Sequence, residues 1–443
     1  MQIFKTQIIN ITSKVTKSIY YETFFKPSTL IAIFALSLFS CTSADEDVVV
    51  DPEVPTSSPN ELLVQRFTTA PVIDGQIDAV WSNARPLINS VTVPSAGIRT
   101  YALNPDGSLI TEPLDLFESY MGESTNFTLK GGHDGVNLYL LLEVEDNADS
   151  RDRESFYFDP TTQTWKQEHK YANNDNDKFY EDKFAFMFPI KDATGAIPTG
   201  WNEGTCTFTC HKNLTGAGAG DKATRHYMPV AGTKADLWHW KRNRNFLSNS
   251  VDDGYVAAVT NPGTAQANGR LSDAGKKQYD DAPVFTDPIT GKKGPKWIKP
   301  GATNYYWITT DELANYTAKL VTGVANDGTL SYRNDAAGTI LTLNPNTDLA
   351  AYKQGTGNKR FPSITINDAT GFVGYDSRND VKLKAVHTGS KWVIEITRKL
   401  TSEDTANDVK FEIGSEMKFG FAYFNNAAIA HGTLNLLTMK IVN

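Results

Sequence analysis

The chain has 443 residues, of which 40% are hydrophobic and 21% charged, with a formal net charge of −8 and no run of Lys and Arg that would form a basic stripe. This balance leaves nucleic acid out of the set of expected partners. An aromatic content of 11% together with 32 glycines and 20 prolines suits a β-rich, loop-rich protein long enough for one elaborated domain or two.

In chain order, Lys5, Lys14, Lys17 and Lys26 stand against Glu22 alone before an apolar run from Leu30 to Ser40. That pattern predicts a signal peptide over residues 1–40. Leu38-Phe39-Ser40-Cys41 resembles the bacterial lipoprotein cleavage box, so Cys41 is the expected lipidation site and the membrane anchor is a lipid. The run is too short for a comfortable span, and no later segment approaches the ~20 apolar residues that a span needs. Asp45, Glu46 and Asp47 resemble the acidic patch of Bacteroidetes-type lipoproteins exported to the outer face of the outer membrane, and a solvated tether explains them equally. The expected location is the cell envelope at the outer membrane, facing periplasm or exterior.

Residues 41–61, with Pro52, Pro55 and Pro59, read as a flexible tether, and the folded part is expected over 62–443. Pro71-Val-Ile-Asp-Gly75 predicts an opening strand and a turn, followed by a short amphipathic helix ending at Trp81. Phe127–Lys130, the turn Asp134-Gly135 and Val136–Glu145 form a hairpin signal. The segments 183–189, 381–386, 391–398, 419–424 and 434–441 supply further short strands. No helical period persists, and the fold class expected is all-β, an antiparallel β-sandwich with long insertions at about 250–375. Asn173-Asn-Asp-Asn-Asp177 offers oxygen ligands at alternating positions, but it lacks the glycine and distal Glu of a calcium loop and reads as a solvated loop.

The segment with chemistry is Thr205-Cys206-Thr-Phe-Thr-Cys210-His211. A c-type haem signature has two cysteines separated by two residues and then a histidine, the thiols forming thioethers and the imidazole binding iron. Here the spacer is three residues, which leaves open a Cys206–Cys210 disulfide or two unmodified thiols. The chain has three cysteines, so once Cys41 is lipidated these two are what remains. In an oxidising compartment thiols this close favour a disulfide or haem attachment, and the adjacent His211 favours haem.

Five segments in order carry a family resemblance: Glu181–Pro189, Gly204–His211, Ala235-Asp-Leu-Trp-His-Trp-Lys241, Trp392–Leu400, and Phe421–Ala427 followed by His431. Together they are similar to the haem-binding domain related to the ethylbenzene dehydrogenase gamma subunit. Pro71-Val-Ile-Asp-Gly75 and Trp81 also resemble a carbohydrate-binding module of the same sandwich type. The first resemblance implies one haem between two axial ligands, b-type in the gamma subunits, with a methionine and a lysine as ligands. By position the methionine site falls on Cys206–His211 and the lysine site on His431, and neither residue is retained. The implied site is therefore a c-type haem on Cys206 and Cys210, ligated by His211 and His431, with b-type binding as the variant.

Met228 is the alternative distal ligand, and His226 is a further histidine in the same stretch. His239, between Trp238 and Trp240, faces opposite to both indoles if the segment is a strand. The expectation is that Trp238 and Trp240 form the haem pocket wall or the core, and that His239 hydrogen-bonds a propionate or another polar group. A six-coordinate iron has no open site for substrate, so the implied function is electron transfer, with no catalytic residue assigned. The redox partner would be a molybdenum oxidoreductase or another cytochrome. The competing reading is a carbohydrate- or other ligand-binding sandwich lipoprotein with a Cys206–Cys210 disulfide.

Overall fold

The computed structural model describes residues 56–93, 120–167, 180–206, 209, 227–258, 269–281, 284–301, 306–347, 361–367, 376–428 and 430–443. The predicted signal peptide, Cys41 and most of the tether lie outside them. Among the described residues no helix is long and apolar enough to cross a membrane.

Twelve strands make one large sheet. They are β1 (Glu61–Arg66), β2 (Leu87–Thr92), β3 (Ser124–His133), β4 (Asn137–Glu145), β5 (Lys183–Ile190) and β6 (Lys234–Lys241). The chain continues with β7 (Asp252–Ala257), β8 (Arg270–Ser272), β9 (Lys382–His387), β10 (Lys391–Lys399), β11 (Glu416–Phe424) and β12 (Gly432–Ile441). Their order is β8-β7-β6-β5-β11-β12-β1-β3-β4-β10-β9, with β2 paired to both β3 and β12.

The sheet folds over on itself into two layers. Strand alternation places Phe184, Phe186 and Phe188 of β5 and Trp238 and Trp240 of β6 on one face, fully buried. Across the interior they meet the other layer. Trp240 packs edge-on against Trp392 of β10 at 5.3 Å between ring centroids, and Phe421 of β11 lies 4.6 Å from Phe127 of β3. Neither pair belongs to neighbouring strands, so these contacts cross the sandwich. The backbone also closes the far side: Val251 N–H donates to Val381 O at 2.9 Å, and Leu383 N–H donates to Asn249 O at 3.0 Å.

The all-β sandwich is as expected, with one topological difference. β1 runs parallel to both of its neighbours, β12 and β3. The pairs β3–β4 and β9–β10 are joined by short turns, which impose an antiparallel direction. β1 is joined to neither neighbour by a tight turn, so nothing local fixes its direction. At the β3–β4 turn Asp134 Oδ1 accepts from Val136 N–H and Asn137 N–H and its Oδ2 from Tyr139 OH, and against the opposing effect of burial these bonds hold its carboxyl down at about 2.

The stretch from about 250 opens with two strands of the large sheet, β7 and β8. The inserted chain after Ser272 then contributes to a second, smaller core. Phe156, Phe158 and Trp165 pack there with Ile298, Ile308, Val321, Leu330, Tyr332 and Phe361. Around Pro71–Trp81 the turn at Gly75 (φ 84°) is present, and the helix is a 3-10 turn at Ala79–Asn83. The preceding residues form no strand; their backbone is instead gathered by Glu395 of β10. Its Oε2 accepts from Asp74 N–H (3.1 Å) and Gly75 N–H (2.9 Å), and its Oε1 from Trp81 Nε1–H (3.0 Å).

Replacing Glu395 by Ala leaves those three donors without their acceptor. The expected cost is about 2–4 kcal/mol in urea unfolding, and a loss below ~0.5 kcal/mol would show that the turn is held by other contacts.

Candidate functional site

The face of β5, β6 and β11 turned away from the core carries the complementary set of residues. Across neighbouring strands His239, Ala185 and Ala422 lie in one row that continues to Thr433 of β12. Ala185, Ala422 and Gly420 have small side chains or none, so this face is a low floor. Polar and aromatic rings stand around it. The Phe424 ring stacks on His431 at 4.4 Å and 28°, and on the other side it lies 5.9 Å from the His239 ring at 27°. The two histidines thus stand on either side of one phenylalanine.

His239 is 8% exposed, and Arg270 donates to its Nδ1. Burial, then the charges of Lys241 and Arg270, push the imidazole well below its ordinary value, so it is neutral. An arginine can only donate, so Nδ1 is the acceptor and the single ring proton sits on Nε2. That Nε2 is buried and has no hydrogen-bond partner among the described residues. His239 therefore presents a donor, suited to a carboxylate, and not a lone pair suited to a metal.

His431 enters β12 from a loop that is fixed at several points. Asp182 Oδ1 accepts from Asn426 N–H (2.9 Å), Asn426 Oδ1 accepts from Tyr180 N–H (2.8 Å), and Tyr120 OH donates to Asn426 O (2.8 Å). Lys183 Nζ donates to Ala428 O at 2.7 Å and rests over the Phe424 ring. Immediately after His431, Gly432 lies so near the β2 backbone that a Cβ there would fall 2.8 Å from Val91 C. Glycine at this position lets β2 close against the base of the loop.

Cys206 is seated by a β-bulge. Between Phe419 and Phe421, Gly420 of β11 faces two residues of β12, Asn435 and Leu436. Cys206 Sγ–H donates to Asn435 Oδ1 at 2.7 Å, and Leu436 N–H donates to Thr205 Oγ1 at 3.4 Å. A Cβ on Gly420 would come 3.0 Å from Cys206 Cβ and 3.2 Å from its Sγ. The turn itself is anchored by Trp201, fully buried, whose Nε1–H donates to Lys418 O at 2.9 Å. Met187, Met228 and Leu237 join Trp201 and Cys206 in a compact apolar cluster against this same outward face. Met228 is 1% exposed, and its backbone N–H bonds Ala257 O at the end of β7.

The structure therefore brings Cys206, Met228, His239 and His431 to one face of the sheet. Cys210, His211, His226 and the Asn173–Asp177 run lie outside the described residues. Of the two expectations for Trp238 and Trp240 the structure shows the core, on the opposite face from His239, because β6 alternates. Three participants carried no sequence signal as site residues: Phe424 between the histidines, Asn435 at the bulge, and Arg270, which sets the His239 tautomer. The most exposed large apolar side chains among the described residues are aliphatic, such as Val72, Val136 and Ile289.

Residues 78–435 match the family described as Ethylbenzene dehydrogenase. No curated protein matches the chain significantly. A family 9 carbohydrate-binding module from Caldicellulosiruptor kristjanssonii, solved with glucose, is 12% identical over 87% of this chain and 96% of its own, with a TM-score of 0.25. A protein described as carbohydrate-binding, from Bacteroides uniformis ATCC 8492, is 8% identical over 86% of this chain and 90% of its own, with a TM-score of 0.28. At such TM-scores neither likeness carries an argument about this site.

Gly420→Ala forces the Cys206 turn away from the bulge, and an overpacking cost of about 1–3 kcal/mol is expected in urea unfolding. An unchanged midpoint would mean that the turn gives way freely. The loop carrying His431 should also respond to pH. Burial, and the Asp146 charge beside it, hold the Asp182 carboxyl well above the usual range, and burial raises Asp146 too. Raised carboxyls favour the folded state below their unfolded pKa, and that contribution is lost as pH rises through the folded value. Asp146→Asn should therefore shrink the loss of stability between pH 5 and pH 8 by roughly 1–2 kcal/mol, and an identical loss in parent and variant would count against the coupling.

Proposed function

Since the chain belongs to the ethylbenzene dehydrogenase family, its match spanning residues 78–435, we propose that it is a haem-binding electron-transfer protein using the outward face of β5, β6 and β11. The observation that carries this reading is the neutral His239 with its buried, unpartnered Nε2–H, set across Phe424 from His431 over a floor of Ala185, Ala422 and Gly420. A flat, largely apolar group with acidic edges fits that set of residues. Bound haem would supply a one-electron iron couple.

In this reading Cys206 and Cys210 would attach the haem covalently, and His211 and His431 would hold its iron, with Met228 as the alternative to His431. Asn435 and the bulge hold the first attachment thiol against the sheet. The bonds from Asp182, Tyr180, Tyr120 and Lys183 hold the His431 loop at its base. His239 Nε2–H would bind a propionate, and Arg270 keeps the proton on that nitrogen. With both histidines engaged the site would have no room for substrate, and the protein would pass electrons to or from a redox partner, a molybdenum oxidoreductase or another cytochrome. The Cys41 lipid would keep the carrier at the cell envelope.

Protein coexpressed with haem-attachment machinery should show reduced α and Soret bands, and acid-acetone should leave the colour on the chain. Colour that extracts would make the haem b-type, and a colourless protein with a Cys206–Cys210 disulfide would overturn the proposal in favour of a ligand-binding sandwich. His431→Ala should convert a six-coordinate spectrum to a five-coordinate one. An unchanged spectrum would move the distal position from His431 to Met228 or another ligand.

A further inference from the structure

Away from the proposed haem face, the interior of the sandwich holds a group of carboxylates without matching donors. Asp236 of β6 and Asp253 of β7 point inward, 0% and 1% exposed, and they meet Asp408 from the loop after β10, 4% exposed. One oxygen from each lies within 4.8 Å of the others. Asp273, directly after β8, lies against Asp408, and Asp380, two residues before β9, lies against Asp253. Five carboxylates thus converge from five separate stretches of chain.

A single guanidinium faces them. Arg398 of β10, fully buried, donates from Nη1 to Asp236 Oδ2 at 2.9 Å, and its Nη2 is turned to Val409 O. Asp236 Oδ2 also accepts from Val409 N–H at 2.9 Å, so this oxygen is satisfied. The others are not. Asp236 Oδ1, Asp253 Oδ2, Asp380 Oδ1 and both oxygens of Asp273 and of Asp408 are buried with no donor group bonded to them among the described residues. When ionised these are acceptors facing acceptors, Asp273 against Asp408 and Asp380 against Asp253, an arrangement that costs several kcal/mol per group in a protein interior unless a proton is shared or a cation lies between them. Burial first, and then the neighbouring carboxylates, raise Asp273 to about 9 and, against the pull of Arg398, Asp236 to about 7.

We propose that Asp236, Asp253 and Asp408, supported by Asp273 and Asp380, form a calcium site that ties β6 and β7 of one layer to the β10 loop of the other. The donor set is oxygen only. It contains no sulfur or imidazole, which sets zinc and copper aside. Calcium accepts six to eight oxygens in flexible geometry, whereas magnesium keeps waters and a strict octahedron. Five carboxylates spread over five segments suit the former. There is also a way in: a surface cleft between the Pro189–Ile197 turn and the Thr401–Glu412 loop is lined by Ser402 and Asp408. The site is independent of haem, since its residues lie on the other face of β6 from His239.

The test uses the full folded chain, stripped with EDTA. Calcium added to it should bind 1:1 by calorimetry and raise the melting temperature by roughly 3–5 °C at ~100-fold excess over its Kd, with magnesium at least tenfold weaker. Terbium should bind at the same place and luminesce on excitation of Trp238, which Arg398 contacts at 5.2 Å, and calcium should quench that signal by displacement. Asp408→Asn removes one charge from a repulsive group, so the stripped variant should fold at least as well as the parent. It should lose calcium affinity by tenfold or more. No heat, no thermal shift and no terbium signal in the parent at millimolar metal would overturn the proposal. So would an Asp408→Asn variant that binds calcium as the parent does.

Discussion

Everything in this molecule depends on the two-sidedness of three adjacent strands, β5, β6 and β11. Their inward residues are large rings, and the contacts Trp240–Trp392 and Phe127–Phe421 hold the two layers together. Because successive side chains point to opposite faces, burying those rings obliges the intervening residues to face outward. His239, Met187 and the small residues Ala185, Gly420 and Ala422 are therefore presented together. The core and the candidate site are two faces of one pattern, and a one-residue slip of β6 would exchange His239 with its tryptophans.

On that fixed face the site is completed by irregular backbone. The bulge at Asn435–Leu436 interrupts β12 where the Cys206 turn docks, and the loop before β12 delivers His431. Both devices flank the same strand. A strand with a fixed start and an interrupted middle can hold two functional segments that are about 220 residues apart in sequence, and neither segment needs much rigidity of its own.

Much of the architecture was legible from local signals. The Asp134-Gly135 turn between alternating runs specified β3 and β4, and Ala235–Lys241 specified the opposition of His239 to its two tryptophans. The parallel placement of β1 was not legible, because no short turn joins it to a neighbour. Trp238 and Trp240 illustrate a different limit: alternation separates them from His239, but sequence alone does not say which face is the interior. The Asp236, Asp253, Asp273, Asp380 and Asp408 group was invisible for a simpler reason. Its members are isolated aspartates in five stretches, and only the closed sandwich brings them together. Phe424 looked like one more aromatic of a strand, and its place between two imidazoles depends on the loop that returns His431 to it.

The hydrogen bonds from Val251 to Val381 and from Leu383 to Asn249 also govern how the protein behaves in company. A large open sheet ends in two rows of unpaired amide groups that can recruit a strand from another molecule. Here one end is stitched to a neighbouring stretch of the same chain, and the other end is β8, three residues long. With its borders so nearly consumed, the sheet offers little template for intermolecular strand addition, and crowding many copies together should favour separate particles over fibrils.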